Sequence, residues 1–117
     1  MNVVIVCPKD SKSAIKNTFQ TKLSNVNIIG VMTVIKDNFV HEITDYYTPH
    51  CLFITVTVPN KTHSSIDELF AQIKLYNPGI RIIVNIVNKT DVPDFDEFIK
   101  QLYALKIYDI IIGAKKI

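Results

Sequence analysis

A chain of 117 residues is long enough to bury one hydrophobic core and short for two. Hydrophobic residues make up 48% and charged residues 21%, which excludes a disordered chain, and no apolar run approaches the ~20 residues that span a bilayer. The net charge of +2 is spread over intermixed Lys and Asp/Glu with Arg81 as the only arginine, so no basic stripe exists and no nucleic-acid partner is expected.

Asn2–Cys7 is an apolar strand broken by Pro8; it has no basic leader, so it reads as a strand rather than a secretory signal, and the expected location is cytoplasmic. Asp10 or Ser11 then caps a helix whose inner face is Ile15, Thr18, Phe19 and Leu23, with Lys12, Lys16 and Lys22 toward solvent. Asn27–Val31 is a short second strand. A second helix is expected over about Val34 to Tyr47, with Ile35, Phe39, Ile43 and Tyr46/Tyr47 inward, against the poor helical propensity of its β-branched residues.

The run Cys51-Leu52-Phe53-Ile54-Thr55-Val56-Thr57-Val58-Pro59 reads as a strand covered on both faces, the centre of a parallel sheet. Ser65 with Glu68 fits a capping box, Ser64 with Asp67 nearly so, and Ile66, Leu69, Phe70 and Ile73 form the stripe of the helix that follows. Asn77-Pro78-Gly79 stops that helix and turns the chain into a second buried strand, Ile80–Val87. Asp91 or Asp94 caps a fourth helix with Phe95, Phe98, Ile99 and Leu102 inward, and Tyr108–Ile112 is the fifth strand.

Strands alternating with helices imply right-handed crossovers and a single α/β domain over residues 1–117. It has three layers around a doubly wound, five-stranded parallel sheet of order 2-1-3-4-5. Chemistry in such sheets sits at the carboxyl ends of the strands, which directs attention to Thr55, Thr57 and the loop to Ser65. His63 is the one acid–base or ligand residue there, and its ordinary reading is a solvated loop histidine. His41 and His50 show no metal-ligand spacing with cysteines or acids, so no metal is expected. The first strand–helix turn, Val6-Cys7-Pro8-Lys9-Asp10-Ser11, holds no glycine, so neither a dinucleotide fingerprint nor a Walker loop is present and no cofactor is expected.

Asn88-Lys89-Thr90-Asp91 matches the four-residue pattern by which GTPases read guanine. Without a phosphate loop it reads as a polar turn. Lys9 and Asp10 could touch an anion, although a helix cap is the simpler use. Thr55 and Thr57 are expected on one face of their strand, and Asn85, polar within a buried strand, needs a partner such as one of them or an interface. Cys7 and Cys51 end and begin neighbouring strands, too far apart for a disulfide, and read as buried thiols.

From the third strand onward the chain resembles the receiver domains of response regulators, a flavodoxin-like fold. The specific residues are Pro59, the Asn77-Pro78-x-Ile80 entry to strand four and the Tyr108-Asp109-Ile110-Ile111 strand. Counting back from Pro59, as the receiver pattern implies, puts Thr55 where the phosphoacceptor aspartate belongs. The metal-binding acidic pair falls at Cys7 and Pro8, the Thr/Ser of strand four at Ile86, and the lysine after strand five at Gly113. The resemblance therefore implies a degenerate receiver that is not an enzyme and cannot accept phosphate by aspartate chemistry. Similar domains precede the ATPase domain in pilus-localisation proteins of the MinD/ParA superfamily, where they are implied to serve dimerisation and docking.

A full receiver carries a fifth helix after strand five, beside the first; here only Gly113–Ile117 follows. One helix on that side would leave part of an apolar sheet face open, which implies that the chain is the N-terminal part of a longer protein, a homodimer through that face, or both. The alternative is four helices split two and two. The expected function is protein interaction, with a separate partner or with itself; the other reading is a phosphorylation-independent or small-ligand switch using the carboxyl edge.

Overall fold

The computed structural model describes residues 1–23 and 25–113. Five strands, β1 (Asn2–Val6), β2 (Asn27–Met32), β3 (Cys51–Thr55), β4 (Arg81–Ile86) and β5 (Asp109–Ile112), form one parallel sheet of order β2-β1-β3-β4-β5. This is the doubly wound receiver-like arrangement read from the sequence. Register places Val3 beside Cys51 and Val6 beside Ile54, so Cys7 and Cys51 lie at opposite ends of the sheet, and both thiols are free and buried.

Alternation within the strands builds two cores. Val4, Val6, Leu52, Ile54, Ile82, Val84 and Ile86 face one layer, together with Phe39, Ile43, Phe70, Ile73 and Leu102 of three helices. Val3, Ile5, Cys51 and Phe53 face the other, where Ile15 and Phe19 are the helical contribution. Among the described residues the helices thus divide three and one, not two and two.

On the sparsely covered face lies α1 (Lys12–Lys22). It has no fully buried residue and is pinned by Ile15 and by Phe19, whose ring meets Phe53 edge-on at 5.2 Å. Neither Asp10 nor Ser11 caps it. Lys9–Ser11 form a 3-10 turn that runs straight into the helix, and the helical backbone of Ser11 leaves its hydroxyl no cap geometry.

α2 starts later than the spacing predicts. Ile35 pairs instead as an isolated parallel bridge with Asn60, through Ile35 N–H to Pro59 O and Lys61 N–H to Ile35 O, 2.8 Å each. α2 begins at Phe39–His41 and continues as a π-helical segment, Glu42–Tyr47. The wider turn buries Ile43 and leaves Tyr46 outward at 72% exposure, against expectation, while Tyr47 lies half-buried over Gly30.

α3 (Ile66–Tyr76) carries the capping box as read: Glu68 N–H donates to Ser65 Oγ and Ser65 N–H to Glu68 Oε1. The Ser64–Asp67 pair forms no such box; Ser64 serves the loop instead, its carbonyl accepting from Asn60 and Thr62. α4 (Phe95–Ala104) is not capped by Asp91 or Asp94. Asp94 has φ 52°, a left-handed backbone, and its side chain makes no cap hydrogen bond, and Asp91 caps the turn before it.

Candidate functional site

The carboxyl edge of the sheet is built from the ends of β1, β3 and β4. β3 stops at Thr55, because Val58 N–H turns back to Thr55 O at 3.1 Å. Thr57 therefore sits exposed in that turn and does not share a strand face with Thr55, as strict alternation had implied. Thr55 itself is 1% exposed. It lies opposite Asn85 in register, and Asn85 Nδ2 donates to Thr55 Oγ1 at 3.1 Å. That bond supplies Asn85 with the partner its position required.

Cys7 directly follows β1 and has no exposed surface. Burial pushes its thiol above the ordinary range, opposed only in part by the nearby Lys12 ammonium, so it stays protonated, a poor nucleophile and a poor ligand. Pro8 opens the 3-10 turn, and Lys9 and Asp10 stand exposed within it. His63 is exposed in the β3–α3 loop, Ile86 is buried, and Gly113 follows β5 with φ 59°. Among the described residues no three His, Cys, Asp or Glu side chains come together as a metal set. The Mg²⁺ that a receiver fold implies would meet a buried thiol, a proline ring and a threonine hydroxyl already engaged with Asn85. A hard cation needs oxygen ligands, and these residues do not fit it.

The guanine-like motif is consumed by its own turn. Asn88 Oδ1 accepts from Thr90 N–H and Thr90 Oγ1, while Asp91 Oδ2 accepts from Asn88 N–H at 3.1 Å. Lys89 lies over the Phe95 ring at 4.9 Å. The carboxylate that would read a base edge is holding the chain.

Sequence reasoning missed two features. A cleft of about 260 Å³ opens between the start of α3 and the segment entering α4, lined by Val56, Ile66, Pro93 and Phe98 with Asp67 and Asp91 on its rim. No spacing rule announces it, because it joins two separate loops. The second is a two-point ion pair: Arg81 Nε and Nη2 donate to Asp109 Oδ2 and Oδ1 at 2.9 and 3.2 Å. Register pairs Asp109 with Ile83, so Arg81 is its diagonal neighbour, a relation open to anyone who aligns β4 with β5.

The other candidate surface is the sheet face beside α1. A groove of about 440 Å³ runs there. Phe53, Ile83 and Ile111, one from each of three successive strands, make its floor; Ala14, Thr18 and Leu23 make its wall. Leu23 is 47% exposed and Ile111 42%. The Arg81–Asp109 pair lies at the amino end of the same two strands.

No protein-family model and no curated protein matches the chain. Solved structures do, and they are receiver domains of response regulators, so the chain has a receiver-like fold. The isolated REC domain of RcsB from Salmonella enterica serovar Typhimurium, with the phosphomimetic BeF3−, is 20% identical at a TM-score of 0.76. The match covers 99% of this chain and 79% of that one. The non-phosphorylated receiver domain of the stress response regulator RcsB from Escherichia coli is 18% identical at 0.73, covering 97% and 81%. RcsB from Salmonella enterica serovar Typhimurium bound to promoter rprA matches at 0.75 with 20% identity, over 99% of this chain and 61% of that one.

Proposed function

We propose that this chain is a non-catalytic, degenerate receiver that works as a protein-interaction module and does not accept phosphate. The observation that carries this reading is the pair Cys7 and Thr55. Both are buried at the carboxyl edge where receiver chemistry belongs, one a protonated thiol and the other a hydroxyl tied to Asn85. No carboxylate replaces either. What the domain offers instead is surface: the groove beside α1, where a protein partner or a second copy would dock. A cytoplasmic location and attachment to a signalling or MinD/ParA-type ATPase partner go with this reading.

The test is incubation with a small-molecule phosphodonor and Mg²⁺, followed by intact-mass measurement. The expected mass is unchanged, and any phospho-adduct, acid-labile or acid-stable, would sink the proposal. Solution mass is the companion measurement, since a docking module that pairs with itself sediments as a dimer. The cleft between α3 and α4 supports a second reading, a small-ligand switch at the carboxyl edge. Thermal stabilisation by a metabolite, mapped to Ile66 and Phe98, would favour it over the interaction module.

A further inference from the structure

The cleft between the start of α3 and the segment entering α4 has walls that are fixed before anything enters it. On one side Ser65 and Glu68 close the capping box of α3; on the other, Asn88 and Asp91 close the turn before α4. Its floor is Val56, Ile66, Val92 and Phe98, all half-buried and packed against the larger core. Val56 is tied to the end of β4, its N–H donating to Asn85 O at 3.1 Å. A hollow held in this way costs little ordering when a ligand enters.

Size bounds the occupant. A dry protein cavity of ~150 Å³ admits benzene, so about 260 Å³ takes one ring with a short arm rather than a helix or a strand.

The rim decides the charge. Both charged side chains that line the cleft, Asp67 and Asp91, are acidic, and no Lys, Arg or His joins them. Lys89, in the same turn as Asp91, is placed instead over the Phe95 ring at 4.9 Å. The two ion pairs among the described residues, His41–Asp45 and Arg81–Asp109, use neither rim carboxylate. Asp91 Oδ2 accepts from Asn88 N–H, which leaves Oδ1 to the cleft's rim, and Ser65 Oγ already accepts from Glu68 N–H. The free capacity of the rim is therefore mostly oxygen lone pairs, which suit a donor-rich cation. Asp67 and Glu68 also answer the positive end of α3, so its first turn draws no anion. A peptide backbone would bring as many acceptors as donors, and its carbonyls would find little to bond here.

Resting on the small-ligand reading of this cleft, we infer that it binds a small organic cation: a primary amine on a short arm from one flat apolar ring. The ring packs on Ile66 and Phe98 and the ammonium points toward Asp67 and Asp91. The floor belongs to the core on the far side of the sheet from α1, so this ligand and a partner beside α1 do not compete.

The experiment titrates the 117-residue chain, labelled at isoleucine methyls, with three probes of similar shape. They are 2-phenylethylamine, the neutral 2-phenylethanol and the anionic 3-phenylpropanoate. The amine should shift the Ile66 methyl saturably with a Kd of about 1 mM or tighter, and the alcohol and the propanoate should bind at least about fivefold more weakly. Asp67→Asn and Asp91→Asn should each weaken the amine about three- to tenfold and leave the alcohol within about twofold. Asparagine at position 91 still offers an oxygen to Asn88 N–H, so the turn is kept. Asp37→Asn, outside the cleft, should change nothing.

If the alcohol or the propanoate binds as tightly as the amine, or if both rim variants bind the amine unchanged, the cationic class is overturned and the small-ligand reading survives. Saturable shifts confined to other isoleucines overturn the location. If none of the three probes moves Ile66, the inference and the small-ligand reading fall together, and the interaction module stands.

Discussion

The Asn85–Thr55 bond joins two partners of unequal burial, and that inequality predicts an asymmetric mutational response. Thr55 is 1% exposed, whereas Asn85 is half-buried on the open face. Asn85→Leu strands a hydroxyl that water cannot reach, which costs about 1–3 kcal/mol. Thr55→Val is nearly isosteric and leaves an amide that can turn to solvent, so only the net worth of a hydrogen bond is lost, about 0.5–1.5 kcal/mol. Replacing both leaves no orphan, and the double variant should cost less than Asn85→Leu alone. Equilibrium urea unfolding of the four proteins closes the cycle, with an expected coupling of roughly 1–2 kcal/mol. In thermal melts the single variants should differ by about 4 °C for each kcal/mol between them. If Thr55→Val costs as much as Asn85→Leu, or the double variant costs the sum, the bond is not the reason Asn85 is tolerated in the sheet.

Thr55→Asp should not restore a receiver. It places a carboxylate at a buried position opposite Asn85, an amide and not a cation, so stability should fall by about 3–5 kcal/mol, and intact mass should still show no adduct with a phosphodonor. The Arg81–Asp109 pair should be visible in acid. The Arg81 hydrogen bonds and charge hold the Asp109 carboxyl below its ordinary range, so its contribution is fully present above the unfolded value of about 3.9 and is lost as pH falls through the lower folded value. Both side chains are half-exposed, which limits the effect to about 0.2–1 kcal/mol. Thermal midpoints of the native chain and Asp109→Asn should converge on acidification, and parallel curves would refute the assignment. Gly30→Ala puts a methyl 2.7 Å from Tyr47 Cε1 and 2.9 Å from Cζ, which should cost about 1–3 kcal/mol by overpacking. Adding Tyr47→Ala should make the pair cheaper than the sum, measured by the same melts.

The sheet was legible because β1, β3 and β4 are apolar runs punctuated by Pro8, Pro49 and Pro78, and because helices between them forced parallel crossovers. The stripe of α3 and its Ser65–Glu68 box were equally plain, since a cap and a 3.6-residue period agree there. What failed was local. Ser11 looked like a cap but follows a turn already helical, so its backbone cannot present the hydroxyl. Thr57 looked like a strand residue because its neighbours are β-branched, yet the chain turns at Val56 to close on Thr55. The π-helical segment of α2 escaped because its period is neither that of a strand nor that of an α-helix. For the candidate site, the replaced positions Cys7 and Thr55 could be named from the sequence, while the cleft between α3 and α4 could not, because it exists only where two distant loops meet. The groove was legible as an uncovered face; its uncharged wall was not, since that depends on which flank of α1 turns toward β4.

The division of helices three and one gives the two sides of the sheet unequal tenure. α1 is held chiefly by Ile15 and Phe19, so it is the helix whose amides should exchange with solvent soonest, opening well below the free energy of global unfolding. A partner seated against Ala14 and Thr18 would then do two things at once. It would secure α1 by mass action, and it would lose affinity in proportion to the fraction of time α1 stands away from the sheet. A substitution deep under α1 and outside the groove, such as at Ile5, should therefore tune such binding without touching the partner.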